Sequence, residues 1–285
     1  MPEDLNDIGN HQEDWGKIFI LINDVNLAQY TDAQFRIIGN SPRTFTGILD
    51  GSDHKVCNFT WSSTDRDAIG LFAFVGPGGQ IRKLGMENTS IHAGTGNAVG
   101  ALVGRNYGGK ISNCCSTGSI SADEYVGGLV GYNEGTLSDC YSTAVAYGQS
   151  QVGGLVGDGL AMRVVSSFWD IETSGKLTSP GGGKGRTTVQ MKTRLTFTSA
   201  GWDFVGETAN GTEDIWTIKQ LVDYPKLVWQ MVSFVGQYDV DFADYSFLAG
   251  HWLNSNCAAS NDCNGTDLNF SGSVDATDLA IFCQH

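Results

Sequence analysis

Alternating apolar and small residues, broken by glycine at regular intervals, dominate the middle of the chain. The phrase VGALVG occupies 99–104, and VGGLVG recurs at 126–131 and 152–157. Gly100, Gly127 and Gly153 thus stand 27 and 26 residues apart. A period of this size marks a stacked array, in which each unit buries its apolar face only against its neighbours. Asn/Gly turns follow the first two phrases, at Asn106-Tyr107-Gly108-Gly109 and Asn133-Glu134-Gly135, and each leads into a further alternating stretch. Each unit therefore predicts a strand, an Asn/Gly turn, a short strand and a second turn. The glycines supply positive φ at corners or allow close backbone packing between coils. Cys114 and Cys140 occupy equivalent places and predict a ladder of small buried residues. Stacked strands lie about 4.8 Å apart, whereas a disulfide needs Cβ atoms about 3.8 Å apart.

Upstream, 69–76 and 79–81 read as a divergent earlier coil. Residues 45–51 and 54–59 predict two short strands around the Asp50-Gly51 turn. The longest apolar stretch, 18–22, has a strand's length. Residues 2–9 suit a short helix, with Leu5 and Ile8 on one side, that caps the open end of the stack. Beyond the third phrase the pattern decays. Residues 166–170 close the last coil, the glycine-rich run 180–185 reads as a flexible linker, and 189–195 predicts one short helix. Trp202, Trp216, Tyr224, Pro225 and Trp229 are expected to cover the far end of the stack. The resulting division is a solenoid with an N-terminal cap over 1–175, a linker and aromatic cap over 176–231, and a separate module over 232–285.

Composition narrows the partners. Glycine accounts for 38 of 285 residues, about twice the usual share of roughly 7%, with only five prolines, which excludes a collagen-like chain. A formal charge of −14 argues against a basic face for nucleic acid or anionic lipid and suits neutral or cationic partners, or calcium. No run of 18 apolar residues predicts a membrane span. The opening Met1-Pro2-Glu3-Asp4 lacks a basic and apolar leader, so the expectation is a protein that stays inside or a mature or truncated form. The odd number of cysteines, seven, does not settle the compartment.

These residues resemble the GLUG-motif proteins, named for the Gly-Leu-Val-Gly core of the repeat. The resemblance covers roughly 14–229, including Phe45-Thr46-Gly47-Ile48-Leu49-Asp50-Gly51 at its start and Phe168-Trp169-Asp170-Ile171-Glu172-Thr173 at its end. It implies a secreted or surface-attached β-solenoid, often part of adhesin-like proteins, and it brings no shared catalytic residues. Parallel β-helices also carry many polysaccharide lyases and hydrolases, so an enzyme stays as the alternative.

A second signal lies at 267–278. Calcium takes six to eight oxygens, and a 12-residue loop supplies them from positions 1, 3, 5, 7, 9 and 12. Those positions hold Asp267, Asn269, Ser271, the Ser273 carbonyl, Asp275 and Asp278. Gly272 stands where the chain must turn sharply, and Val274 is placed to anchor the loop. Asp rather than Glu at position 12 departs from the EF-hand pattern and resembles the loop of type I dockerins, which carry two such loops. Residues 240–245 align with 274–279 at an offset of 34. There the first, third, fifth and sixth positions fall on Ser233, Val235, Gln237 and Tyr238, which are missing or poor as ligands and turn residue. The first copy (233–244) is expected to keep a helix over 242–252 and to bind calcium weakly or not at all. The same offset places His251 over His285, so the second helix reads as clipped and the chain as a fragment. One disulfide among Cys257, Cys263 and Cys283 is expected in an oxidising setting, with Cys257–Cys263 favoured. The dockerin resemblance implies docking to a cohesin-like receptor, with Ala276 and Thr277 as the partner contacts.

Other chemistry finds no support. The run 181–187 lacks the first glycine and the Ser or Thr of a phosphate loop. His11, His54, His92, His251 and His285 show no zinc spacing, Cys114-Cys115 is no redox pair, and no Gly-x-Ser-x-Gly elbow occurs. Asp65, Asp67, Asp123, Glu124, Glu134, Asp139, Asp170 and Glu172 offer carboxylates, but no spacing selects a glycosidase pair. Tyr107, Tyr132 and Tyr141 could stack on sugar rings, although turn and edge roles weigh more.

The chain is thus expected to be mainly β: a parallel β-helix or solenoid with a small α-helical, EF-hand-like (dockerin-like) C-terminal module. The expected function is non-enzymatic adhesion at the cell surface or outside the cell. Its expected cofactor is Ca2+, and its partners are a cohesin-like or other surface protein and extracellular polysaccharide. Nucleic acid and membrane insertion are not expected. The alternative is a polysaccharide lyase or glycoside hydrolase carrying a dockerin.

Overall fold

A computed structural model of the chain describes residues 1–228, 242–257 and 261–283. It divides into two compact units, Met1–Met191 and Lys192–His285. The first is a parallel β-solenoid of about five turns. One broad sheet runs through Ile18–Ile20, Ile48–Asp50, Gln80–His92, Lys110–Ser121, Tyr141–Ser142, Phe168–Asp170 and Lys184–Arg186. Two short sheets complete each coil. One holds Asn97–Gly100, Glu124–Gly127 and Ser150–Gly153; the other holds Phe72–Val75, Val103–Asn106, Val130–Asn133 and Val156–Gly159.

The repeated phrase straddles the two short sheets. Val99, Val126 and Val152 stand in one register column, and Val103, Val130 and Val156 in the other. The glycine after each valine lies where the sheets meet backbone to backbone. A Cβ on Gly100 would sit 2.7 Å from the Val130 Cα, and one on Gly157 would sit 2.6 Å from the Val126 nitrogen. None of Gly100, Gly104, Gly127, Gly131, Gly153 and Gly157 has positive φ. Space, not dihedral freedom, keeps these positions glycine.

Positive φ falls elsewhere, at turn glycines such as Gly108 and also on residues with side chains. Lys83, Asn113, Asp139 and Ser166 form one left-handed corner column, with φ of 52°, 53°, 54° and 46°. Ala68, Ala98, Tyr125 and Gln151 form a second, with φ of 54°, 60°, 55° and 51°. Such residues bend the chain once per coil, at a cost of about 1–2 kcal/mol each for a non-glycine residue.

The core is a stack of apolar columns, including Ile81, Ile111 and Leu137, closed by Leu71, Leu102, Leu129 and Leu155 at the corners. Cys114 and Cys140 are buried and unbridged. The Cys114 N–H donates to the Cys140 sulfur at 3.4 Å, and the Cys140 N–H to Ser167 Oγ at 3.2 Å, which is the small-residue ladder expected.

Several expectations need correction. Gln80–His92 and Lys110–Ser121 are strands of 13 and 12 residues, not short ones, because the left-handed corners bend a strand without ending it. The 45–59 region does supply the two short strands expected, Ile48–Asp50 and Lys55–Cys57; a further strand, Thr60–Ser62, follows, and all three pair with Gln80–His92. The glycine-rich run is no linker. Lys184–Arg186 pairs in parallel with Phe168–Asp170, and the glycines fit against large side chains, Gly183 beside Leu155 and Gly185 beside Ile171. Residues 189–195 span two short helices, Thr188–Met191 and Arg194–Thr198. The N-terminal helix forms over Pro2–Asn10, with Leu5 buried and Ile8 packed on the core.

In the second unit Phe197, Trp202, Phe204 and Trp216 pack together, with the Trp202 ring 4.7 Å from both Phe197 and Trp216. Trp229 lies outside the described residues, as do Ser233, Val235, Gln237 and Tyr238 of the degenerate loop. Helices Phe242–Gly250 and Ala276–Phe282 follow, the first ending short of residue 252. Leu248, Cys257, Cys263, Leu268, Val274, Ile281 and Phe282 share one core with Val205 and Val228. Cys257 and Cys263 form a disulfide. Among the described residues no helix is long and apolar enough to cross a membrane.

Candidate metal-binding loop

The loop at 267–278 is built by its own carboxylates. Gly272 has φ of 96° with open space around its Cβ position, so the sharp turn itself demands glycine there. Val274 is fully buried, and its backbone pairs with Leu253 and Asn254 at 2.9 Å, fixing the loop to the segment after the preceding helix. Asp267 accepts from Ser271 N–H at 2.9 Å and Gly272 N–H at 2.8 Å. Asn269 Oδ1 accepts from Ser271 N–H at 2.9 Å, and Ser271 Oγ donates to the Ser273 carbonyl at 3.1 Å. Asp275 caps helix Ala276–Phe282, accepting from Thr277 N–H at 2.8 Å. Asp278 closes the ring. It accepts from Leu268 and Asn269 N–H at 2.6 and 3.2 Å and from Asp275 N–H at 2.8 Å. Ala276 and Thr277 are exposed on the first turn of the helix.

Asp267 and Asp278 are both almost fully buried, at 1% and 0% exposure. Burial pushes the Asp278 carboxyl up; its three backbone N–H donors oppose the shift, and the nearby Asp267 charge adds to it. No lysine or arginine forms an ion pair with either among the described residues. A cation at the loop would offset the repulsion that the Asp267 charge adds at Asp278. Also among the described residues, no three His, Cys, Asp or Glu side chains converge as a metal group. A metal here would therefore rest on mixed donors, with the Asn269 amide, Ser271 hydroxyl and Ser273 carbonyl beside the carboxylates. That donor set suits a hard cation.

Several of the carboxylates considered for catalysis are already engaged in structural bonds. Asp170 caps helix Ile171–Ser174 and accepts from Thr188 Oγ1 at 2.7 Å. Asp67 holds Asn97 N–H at 2.7 Å, and Glu134 accepts from the Tyr132 hydroxyl at 3.0 Å. Burial raises the Asp139 carboxyl at its corner. The aromatic grouping also differs from expectation. Tyr132 lies 6.5 Å from Tyr107 and 5.8 Å from Tyr125, and Tyr107 lies 6.0 Å from Phe74, whereas Tyr141 is buried in the broad sheet.

One polar cluster is not among the sites expected from the sequence. The Asp24 carboxylate bonds His54 Nδ1 at 3.2 Å and Lys55 N–H at 3.0 Å, and Lys55 Nζ pairs with Glu87 at 2.8 Å. Burial would lower the Lys55 ammonium, but Glu87 and Asp24 outweigh it and its pKa is raised. Asp24 and His54 are one coil apart, and that spacing was the only available clue.

The GLUG motif matches residues 95–121 and 122–146. The GLUG stretch contains Gly100, Gly104, Gly127 and Gly131 of the seam, while the third phrase lies beyond it. Halomucin from Haloquadratum walsbyi is 33% identical over 90 residues, covering 32% of this chain and 1% of that protein. A putative Gly-rich membrane protein from Evansella cellulosilytica is 34% identical over 97 residues, covering 33% of this chain and 11% of its own length. The chain thus spans a small part of the curated relatives it matches. No solved structure matches.

Proposed function

We propose that the chain is a non-catalytic adhesion or carbohydrate-interaction protein of the cell surface or exterior, with a dockerin-like module closed by one Ca2+. The observation that carries the calcium reading is the burial of both Asp267 and Asp278 in a loop of oxygen donors, with no lysine or arginine ion-paired to either among the described residues. Asp267, Asn269, Ser271, the Ser273 carbonyl, Asp275 and Asp278 would hold the ion. Binding would tie the start of the loop to the first turn of helix Ala276–Phe282 and so stabilise the module. Ala276 and Thr277 would meet a cohesin-like or other surface protein.

The names of the two relatives, a mucin and a membrane protein, support a surface setting and name no enzyme. The Tyr107, Tyr125 and Tyr132 group is the solenoid's best candidate for polysaccharide. The test is calorimetric calcium titration of the intact chain against an Asp267→Ala, Asp278→Ala double variant. One tight site is expected in the first and none in the second; equal titrations would sink the calcium reading. Release of reducing ends or unsaturated sugars from a polysaccharide panel would overturn the non-catalytic reading in favour of a β-helical lyase or hydrolase.

A further inference from the structure

Among the described residues, the broad sheet has an unpaired edge at strand Ile18–Ile20. Strand Ile18–Ile20 pairs with Ile48–Asp50 along one edge, and among the described residues no strand pairs with its other edge. In a parallel ladder successive residues direct their N–H and C=O groups to opposite sides. Leu21 N–H bonds the Asp50 carbonyl and Ile48 N–H bonds the Lys17 carbonyl, so the odd-numbered residues serve the inner ladder. The backbone groups of Ile18, Ile20 and Ile22 therefore face outward along the free edge.

Charge, proline or a bulge normally protects such an edge. Here the side chains do the opposite. Ile18, Ile20 and Ile22 are 66%, 60% and 78% exposed. Helix Pro2–Asn10 covers Val25 but stands off the strand, leaving a groove of about 500 Å³ along it. Leu5, Ile8, Phe19, Leu21, Val25 and Leu49 are its apolar lining. An added strand would thus find backbone partners, an apolar bed for its inward residues and isoleucines beside its outward ones.

The rim fixes the occupant's charge. Asp4, Asp7 and Asp14 line the groove, with Asp4 and Asp7 side chains 80% and 62% exposed. Their local partners are the N-terminal amine, His11 and Lys17, in a chain of net charge −14.

We propose that this edge docks an extended apolar segment of a partner protein, flanked by lysine or arginine, as one further parallel strand. The mode is β-strand addition: main-chain bonds supply affinity and alternate side chains supply specificity. It does not depend on the calcium loop.

The probe is a fluorescent synthetic peptide of β-branched residues flanked by lysines, titrated into the full chain by anisotropy. Saturable binding is expected, weakening with added salt. Ile18→Lys with Ile20→Lys should weaken it about tenfold or more, since both positions are exposed and lysine blocks edges. If that variant fails to fold, Asp4→Lys with Asp7→Lys serves instead. It should weaken the lysine peptide and strengthen a glutamate-flanked one of the same core. No saturable binding, equal binding of both peptides, or binding unchanged by these substitutions would overturn the proposal. So would self-association of the chain that Ile18→Lys with Ile20→Lys abolishes, because a second copy would then be the occupant.

Discussion

Asn106 donates from its side-chain Nδ2 to Oδ1 of Asn133, 2.8 Å away in the next coil, and both residues are fully buried. Each amide also holds its own turn: Asn106 bonds the Gly109 N–H and carbonyl, and Asn133 donates to the Gly135 carbonyl at 3.1 Å. The ladder ends at the next coil, where Gly159 stands in register. Asn133→Leu keeps the branched shape but removes these bonds and leaves buried turn groups unsatisfied. A loss of about 2–3 kcal/mol is expected, read as a lower denaturant midpoint at unchanged slope.

Glycines in this chain serve two purposes that substitution separates. A Cβ on Gly127 would lie 2.8 Å from the Gly157 nitrogen, backbone that cannot yield. Gly127→Ala should cost about 3 kcal/mol by overpacking. Gly175 ends helix Ile171–Ser174 at φ of 65° with open space around it. Gly175→Ala should cost about 1 kcal/mol, through conformation alone. Equal losses in thermal denaturation would contradict this division.

Asp139 predicts a pH dependence. Burial raises its carboxyl, while Ser138 and Lys110 pull it down less strongly. A carboxyl whose folded pKa lies above its unfolded one costs stability when ionised. That cost is present above the folded pKa and fades as pH falls through the ordinary carboxylate range. Asp139→Asn removes the charge and keeps a residue that tolerates the left-handed corner, as Asn113 does one coil earlier. The variant should melt higher than the parent at neutral pH, and the difference should vanish near pH 3.

The disulfide Cys257–Cys263 closes a small loop whose Cys257 N–H bonds the Gly272 carbonyl at 3.0 Å. Cys257→Ser with Cys263→Ser should destabilise the second unit by about 2 kcal/mol on loop-closure grounds. Calcium affinity should fall with it, measured by titration with and without reductant.

Much of the solenoid could be read from the chain because its phrase repeats in step with the coils, so that Val99, Val126 and Val152 name their own register. The helix was legible from Leu5 and Ile8 falling on one side, and the turn at Gly272 from its place in the 12-residue loop. The corner columns were not. Lys83, Ala68 and Tyr125 are not turn formers, and only the stacking of whole coils holds them at positive φ. The run 180–185 was misread because glycine there accommodates Leu155, Trp169 and Ile171 rather than granting freedom. The 267–278 loop was legible as a spacing of oxygens. Its burial of two carboxylates was not, since that depends on Leu268 and Val274 reaching a common core.

Where two sheets touch through bare main chain, the residues at the contact answer to distance and not to any ligand. Four of the six seam glycines fall inside the stretch that resembles other proteins. At these glycines the similarity over that stretch is accounted for by the winding of the chain. Outward-facing side chains, Tyr107, Tyr125 and Tyr132 of that stretch among them, and the segments beyond it are left to set one such protein's task apart from another's.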